Sequence, residues 1–146
     1  MSVSFWHGTL VVATRDEAIE DMVERVRAQL DVEPPRLTRV RNLPDCLLAI
    51  QLLDPRLLIL DDGIQIQPAG DATILDRIHR LRPGLAVVYV ASKHSLELER
   101  EVRRRGVLFY IARPERTEGL AMLEETLSRI LRNLVRGGAE SNSSSG

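Results

Sequence analysis

The 146 residues are enough for one globular domain, and 44% are hydrophobic and 28% charged, which excludes a largely disordered chain. Twenty basic and 21 acidic side chains give a net charge of −1, and aromatic residues are 3%, so we expect no nucleic-acid binding. The longest apolar runs are far shorter than the roughly 18 residues of a membrane span. The first residues lack the pattern of an export signal, so we expect a cytoplasmic protein.

The first third of the chain predicts strand, helix, strand. The apolar run Leu10–Ala13 is the first strand, and an apolar stripe at helical spacing over residues 18–30 is the first helix. Thr14, followed three residues later by Glu17, predicts a capping box that opens this helix. Leu37–Val40 mixes charged and apolar residues, which indicates a strand at the edge of a sheet.

The middle of the chain continues the alternation. Apolar spacing over residues 47–53 predicts a second helix, which opens at Asn42. The continuous apolar run Leu57–Leu60 predicts a third strand that is buried on both faces. Residues 74–81 predict a third helix with Asp71 as its N-cap.

The last strands and the fourth helix follow in the same order. Ala86–Val90 and Val107–Ile111 are apolar runs that predict strands buried on both faces. Between them a helix is predicted over Ser95–Arg105, ending at Gly106. Its arginines follow glutamates at helical spacing, which is typical of a solvated, salt-bridged face.

The fifth helix closes the predicted domain. Its apolar stripe covers residues 120–134, Thr117 is its predicted cap, and the pair Gly137–Gly138 predicts its end. We therefore expect one domain over residues 1–136 and a flexible C-terminal tail over residues 137–146.

The order of elements predicts an α/β fold. Alternating strands and helices with short loops indicate a flavodoxin-like, doubly wound sheet of five parallel strands. In such sheets the functional site lies beyond the carboxyl ends of the strands. Asp61 directly follows the third strand and is therefore the first candidate for a site residue.

Two segments carry a resemblance to a known family. The segment Pro55–Asp61 resembles the phosphoacceptor strand of receiver domains from two-component response regulators, in which a proline and an apolar run lead to the aspartate that accepts phosphate. The segment Gly106–Pro114 is similar to the family's fifth strand, which starts at a glycine and ends in Lys-Pro after a tyrosine three residues earlier. The order of elements matches over residues 8–135.

The resemblance implies a set of site residues. Asp61 would hold the phosphoacceptor position, and five further residues would line the cleft or take part in switching. These are Asp62, Ala91, Ser92, Tyr110 and Arg113.

The chain departs from the family at these positions. Receivers end their first strand in two adjacent acids that help to hold a divalent cation, and this chain has Ala13 and Thr14 there. Ala91 stands where the family has threonine or serine, and Arg113 stands where it has lysine. These substitutions favour a degenerate form, a pseudo-receiver.

The departures change the expected chemistry of Asp61. Because Mg²⁺ sites normally contain one or two carboxylates, we expect Asp61, helped only by Asp62, to bind Mg²⁺ weakly, and we expect no other cofactor. We predict instead that Arg113 pairs with Asp61 across the cleft. Cys46 is expected to be a small buried apolar residue.

The resemblance implies a role in phosphorelay signal transduction. We expect this chain to act through protein–protein interaction and not as an enzyme, with a histidine kinase, another regulator or a second copy as the partner. The fourth helix, fifth strand and fifth helix would allow a homodimer, in which Arg103 and Arg104 would face Glu118, Glu124 and Glu125.

Two alternatives remain open from the sequence. One is a conventional receiver that is phosphorylated on Asp61. The other is a small flavodoxin-like enzyme or ligand-binding protein that uses the same cleft. The second is disfavoured because no glycine-rich loop follows the first strand and no nucleophile lies near a base at a recognisable spacing.

Overall fold

The computed structural model describes residues 8–31, 33–65, 72–113 and 117–144. Its five strands are β1 Thr9–Ala13, β2 Arg36–Val40, β3 Leu57–Asp61, β4 Ala86–Ala91 and β5 Phe109–Ala112. Its five α-helices are α1 Glu17–Ala28, α2 Leu43–Leu53, α3 Ile74–Leu81, α4 Leu96–Arg104 and α5 Thr117–Ser144. A short 3₁₀ helix, Asp62–Ile64, follows β3 directly.

The described strands form one parallel sheet in the order β2-β1-β3-β4-β5. The predicted doubly wound, five-stranded fold is therefore confirmed, and β2 lies at an edge as predicted. Because all strands run the same way, their carboxyl ends share one edge of the sheet. That edge brings together residues that are dozens of positions apart in the chain.

Each face of the sheet has its own apolar layer. Successive residues of the central strands point to opposite faces, so Val11 packs with α2, α3 and α4 while Val12 packs with α1 and α5. Cys46 lies fully buried in the first of these layers, as predicted. Burial raises the pKa of the Cys46 thiol to about 12, because a thiolate is poorly solvated in an apolar layer.

The start of α1 differs from the prediction. Asp16, and not Thr14, is the N-cap, and its side chain accepts a hydrogen bond from the backbone N–H of Ala18. Thr14 is still tied to the sheet, since its backbone N–H donates to the carbonyl of Val40 at 3.1 Å. The predicted capping box with Glu17 is therefore wrong, and the Thr14 hydroxyl instead accepts the backbone N–H of Asp16 at 3.0 Å.

The fifth strand also differs from the prediction. It begins at Phe109, two residues later than expected, and it is an edge strand in which only Tyr110 is buried. Tyr110 belongs to one apolar layer, and Phe109 and Ile111 pack partly buried against the other, so β5 is covered on both faces but less completely than expected. Gly106 does end α4, and its positive φ of 81° is a conformation that glycine adopts without strain.

The remaining helix boundaries are mostly as predicted. Asn42 caps α2 by accepting from the N–H of Asp45, and Ser95 caps α4 by accepting from the N–H of Leu98. The predicted N-cap Asp71 lies outside the described residues, as does the side chain of Thr117.

Helix α5 is longer than the sequence predicts. It continues through Gly137 and Gly138 to Ser144. A glycine costs only about 1 kcal/mol relative to alanine inside a helix, so the pair weakens the helix without ending it. The division into a domain over residues 1–136 and a tail over 137–146 stays a prediction. No helix among the described residues is long and apolar enough to span a bilayer.

Candidate functional site

The carboxylate of Asp61 lies at the carboxyl edge of the sheet and is fully buried. One oxygen, Oδ1, accepts the backbone N–H of Gly63 at 2.9 Å. The other oxygen, Oδ2, accepts the Thr14 hydroxyl and the Arg113 Nη2, each at 2.7 Å. Thr14, Asp16, Asp61, Gly63 and Arg113 are called the Asp61 pocket below. Three donors therefore satisfy a carboxylate that has no contact with solvent.

Arg113 follows β5 and lies across the pocket from β1. Its backbone N–H donates to the carbonyl of Ala91, which fixes the chain at the end of the sheet. Its guanidinium is 31% exposed and also lies 3.7 Å from the Asp16 carboxylate. The predicted Asp61–Arg113 ion pair is present, and Asp16 is a second carboxylate that faces the same cation. Pro114, which completes the basic-proline pair of the resemblance, lies outside the described residues.

Gly63 leaves room for this ion pair. A Cβ atom at that position would lie 3.1 Å from Asp61 Oδ1 and 3.5 Å from Arg113 Nη1. A side chain at position 63 would therefore push on both partners. The close approach of the backbone is what allows the Gly63 N–H to reach the carboxylate.

Asp62 is the next residue along the chain but belongs to a different set of contacts. Its buried carboxylate accepts the backbone N–H of Ser92 at 2.8 Å and the Tyr89 hydroxyl at 2.7 Å. A buried tyrosine hydroxyl needs a partner, and Asp62 supplies it. The carboxylate thereby joins the turn after β3 to β4.

Tyr110 packs beside Tyr89. The two rings are stacked, with centroids 5.9 Å apart and planes 9° apart. The Tyr110 hydroxyl is hydrogen-bonded to His94 Nδ1 at 2.8 Å, and the Arg103 guanidinium lies 5.9 Å from the ring centroid. Burial raises the pKa of the Tyr110 phenol, and the Glu99 and Asp62 carboxylates raise it further. The phenol therefore stays protonated at neutral pH.

The donor set does not fit a divalent cation. Both oxygens of Asp61 and both oxygens of Asp62 already accept hydrogen bonds from protein donors. At the end of β1, Ala13 offers no side-chain oxygen, and the Thr14 hydroxyl donates to Asp61. Among the described residues, no group of three or more His, Cys, Asp and Glu side chains is placed to hold a metal ion. A Mg²⁺ ion would have to displace the arginine or the hydroxyl.

Sequence reasoning located part of this arrangement. It placed Asp61 and Arg113 together, and it placed Asp62 and Ser92 nearby, although Ser92 contributes its backbone N–H and Ala91 its carbonyl. Tyr110 lies further along, against Tyr89 and His94, and does not touch the Asp61 carboxylate. The roles assigned to these residues, phosphoacceptor position and switch among them, stay predictions.

Sequence reasoning missed three partners of these residues. They are Thr14, which binds Asp61, Tyr89, which binds Asp62, and His94, which binds Tyr110. One signal was available: Tyr89 is the one residue of the apolar run Ala86–Val90 with a hydroxyl, and such a group needs a buried acceptor.

Comparison with known proteins gives matches in structure only. No family model matches the chain, and no curated protein matches it in sequence. The chain superposes on a CheY-like response regulator receiver domain protein from Methanospirillum hungatei JF-1 with a TM-score of 0.66 and 18% identity, covering 97% of this chain and 100% of that one. The chain has a receiver fold.

Two further solved structures show the same receiver fold. The Mn²⁺-bound form of the response regulator Rcp1 matches with a TM-score of 0.69 and 14% identity, over 82% of this chain and 91% of that one. The receiver domain of NtrX from Brucella abortus matches with a TM-score of 0.60 and 22% identity, over 82% and 98%. At these identities the likeness is one of fold, so function rests on the site.

Proposed function

We propose that this chain is a receiver-like signalling domain in phosphorelay signal transduction that acts through protein–protein interaction, not as an enzyme and not through ordinary phosphorylation of Asp61. One observation carries the proposal. The Asp61 carboxylate is buried and accepts hydrogen bonds from Thr14, Gly63 and Arg113, while the end of β1 offers no carboxylate.

The chemistry of phosphoryl transfer explains why this arrangement matters. The attacking carboxylate oxygen must reach the phosphorus in line, and charge on the transferred oxygens must be neutralised, usually by a metal ion. In this pocket both oxygens are held by donors, so attack through Oδ2 requires breaking the hydrogen bonds of Thr14 and Arg113, and attack through Oδ1 requires breaking that of Gly63. Ala91 has no hydroxyl to bind a phosphoryl oxygen once it is attached.

In the Asp61–Arg113 ion pair, the guanidinium supplies the positive charge that a bound metal cation would otherwise supply. It compensates the negative charge of Asp61 inside the protein, because a buried carboxylate without a partner would be strongly destabilising. We therefore expect Mg²⁺ to bind weakly, since it competes with a cation that belongs to the chain.

A histidine kinase or another regulator is the partner that the resemblance favours. The predicted homodimer through α4, β5 and α5 stays a prediction. Its charges are partly engaged within one copy: Arg103 pairs with Glu99, Arg104 pairs with Glu101, and Glu124 pairs with Arg25 of α1. A dimer through this face would have to exchange these pairs.

Intact-mass measurement after incubation with acetyl phosphate and millimolar Mg²⁺ tests the proposal. We expect no adduct of about 80 Da, the mass added by one phosphoryl group. The matched control is Asp61→Asn, which removes the candidate nucleophile and keeps its shape. An adduct on the wild-type protein that is lost in Asp61→Asn would establish a conventional receiver instead.

A further variant separates the causes of an unreactive site. Ala13→Asp, Thr14→Asp, Ala91→Thr and Arg113→Lys together restore the side chains of the family at the four departures. We expect this variant to acquire the adduct, because it regains carboxylates for the cation and a hydroxyl for the phosphoryl group. An unreactive but folded variant would mean that the departures are not the reason why Asp61 resists phosphorylation.

A further inference from the structure

Helix α2 exposes leucines on the side that faces away from the sheet. Its inner residues Cys46 and Ile50 are fully buried, but Leu48 is 53% exposed and Leu52, one turn later, is 70% exposed. A surface helix normally carries polar residues on its outer side. A set of exposed leucines on one helix is therefore typical of an interaction surface.

A groove lies between α2 and α3, on the flank of α2 that carries Leu47 and Gln51. It has a volume of about 310 Å³, and it is lined by Leu47, Gln51, Arg77, Arg80 and Leu81. In the described part of the chain no carboxylate lines it. It is called the α2–α3 groove below.

The two arginines of the α2–α3 groove have no partner in the described part of the chain. Arg77 and Arg80 are exposed and form no ion pair or side-chain hydrogen bond with any described residue. Arg103 of α4 differs, because it lies 2.8 Å from Glu99, and so does Arg105, which follows α4 and lies 2.8 Å from Glu101. The α2–α3 groove therefore combines apolar surface with positive charge that is free to meet an acidic partner.

The same chain carries a surface of the opposite charge. On the outer side of α5, Glu118, Met122 and Glu125 follow one another at helical spacing, and all three are exposed, Met122 by 67%. Glu118 forms no ion pair within the described residues. Glu125 forms one long ion pair, at 3.5 Å, with Arg129, and both of these side chains are exposed. These three residues are called the α5 acidic face below.

We propose that the α2–α3 groove of one copy binds the α5 acidic face of a second copy. Met122 would pack against Leu47 and Leu81, and the two glutamates would pair with Arg77 and Arg80. Glu118 and Glu125 are seven residues apart, about 10 Å along a helix, which two long arginine side chains on successive turns of α3 can span. The inference deepens the proposed function, on which it rests, by naming a partner for the interaction.

This contact has a definite consequence for assembly. The two surfaces are different, so each bound copy keeps one free groove and one free acidic face. Such a heterologous contact adds further copies in a row unless the ring closes, whereas a contact of like surfaces stops at a dimer. The predicted homodimer through α4, β5 and α5 joins like surfaces and would therefore stop at two copies.

Sedimentation velocity over protein concentrations from about 10 µM to 1 mM, the range of weak protein contacts, tests the proposal. We expect the wild-type sedimentation coefficient to rise beyond the value of a dimer. Arg77→Glu with Arg80→Glu destroys the groove, and Glu118→Arg with Glu125→Arg destroys the acidic face. Each double variant alone should associate at least about tenfold more weakly, because like charges then face each other.

Mixing the two double variants gives the decisive measurement. The groove variant keeps the acidic face of α5 and has an acidic groove. The face variant keeps the basic groove and has a basic face. The acidic face of the groove variant can bind the basic groove of the face variant, and the two exchanged surfaces are also opposite in charge, so we expect the mixture to regain association with the two variants alternating. A single chain with all four substitutions should associate again, since both charges are exchanged.

Arg103→Glu with Arg104→Glu is the matched control, since it reverses two arginines outside the groove. The proposal expects this control to associate like the wild type. Three outcomes would each overturn the proposal. The wild-type protein could be monomeric at every concentration, only the control could abolish a dimer, or the two double variants could fold and yet fail to associate when mixed. None of these outcomes affects the phosphorylation measurement, so the proposed function can fail or stand independently.

Discussion

The Asp61 pocket and the α2–α3 groove place arginines in opposite situations. Arg113 is held by the buried carboxylate of Asp61 at 2.7 Å and lies near Asp16. Arg77 and Arg80 lie on the surface beside Leu47 and Leu81 and contact no carboxylate among the described residues. The first region holds its charges together within the fold, and the second leaves its charges available to another molecule.

The difference follows from solvation. A buried carboxylate must be compensated inside the protein, because removing one partner of a buried pair costs several kcal/mol. An exposed arginine is solvated by water and needs no partner for the fold to be stable. Substitutions in the Asp61 pocket should therefore change stability, whereas substitutions in the α2–α3 groove should change association.

The largest loss of stability is expected for Arg113→Ala. It leaves the buried Asp61 carboxylate with only Thr14 and Gly63 as donors, and we expect the free energy of unfolding to fall by about 2–4 kcal/mol, the lower part of this range reflecting the partial exposure of Arg113. Urea unfolding measures it. Arg77→Ala is the matched control and should change stability by less than about 0.5 kcal/mol. Equal losses in both variants would remove the contrast between the two regions.

A smaller loss is expected when carboxylates are added to the Asp61 pocket. Ala13→Asp with Thr14→Asp removes a hydrogen bond to Asp61 and places three carboxylates together, so we expect a loss of about 1–3 kcal/mol in metal-free buffer. Mg²⁺ should recover much of it, because an ion that binds only the folded state stabilises that state.

Thermal melts of both proteins, each with EDTA and with excess Mg²⁺, measure this effect. The wild-type melting temperature should not rise with Mg²⁺. A wild-type protein that Mg²⁺ stabilises as strongly as the double variant would mean that Asp16, Asp61 and Asp62 already form a cation site.

Tyr89→Phe tests the neighbouring carboxylate and should have an intermediate effect. It removes the hydroxyl that Asp62 accepts in a fully buried position, and we expect a loss of about 1–2 kcal/mol. Tyr110→Phe is the matched control, since its hydroxyl meets the exposed His94, where water can replace it. Chemical denaturation should therefore show a smaller loss in the free energy of unfolding for Tyr110→Phe than for Tyr89→Phe. A larger loss for Tyr110→Phe would mean that the hydrogen bond to Asp62 is the weaker of the two.

The smallest change in stability is expected on the outer side of α2. Leu52→Ser removes a side chain that is 70% exposed, and we expect less than about 0.5 kcal/mol. Ile50→Ala, on the inner side of the same helix, should cost about 2–4 kcal/mol by leaving a cavity. If Leu52→Ser destabilises the monomer as much as Ile50→Ala, the outer leucines belong to the core and not to an interaction surface.

Much of the fold could be predicted because its signals are local. The apolar runs of β1, β3 and β4 and the apolar stripes of the helices are read from neighbouring residues, and they gave the correct order of elements. The errors occur where a neighbour in space decides. The run that includes β5 has the composition of a buried strand, but β5 lies at an edge and is covered less.

The candidate site shows the same division. The positions of Asp61 and Arg113 follow from the rule that parallel strands end at one edge, so their ion pair was predictable. The contact between Thr14 and Asp61 was not, because it joins the end of β1 to the end of β3 and has no local signal. The Thr14 hydroxyl donates to Asp61 while it accepts the backbone N–H of Asp16, and Asp16 itself caps α1.

The amino-acid sequence by itself determined the parallel α/β fold, the edge at which the site lies, and the absence of acids at the end of β1. Only the tertiary structure decided which donors hold each carboxylate and which arginines have no partner among the described residues. The reason is one of scale. Periodicity depends on residues a few positions apart, whereas the hydrogen bond between Thr14 and Asp61 joins groups 47 residues apart and requires placement to within tenths of an ångström.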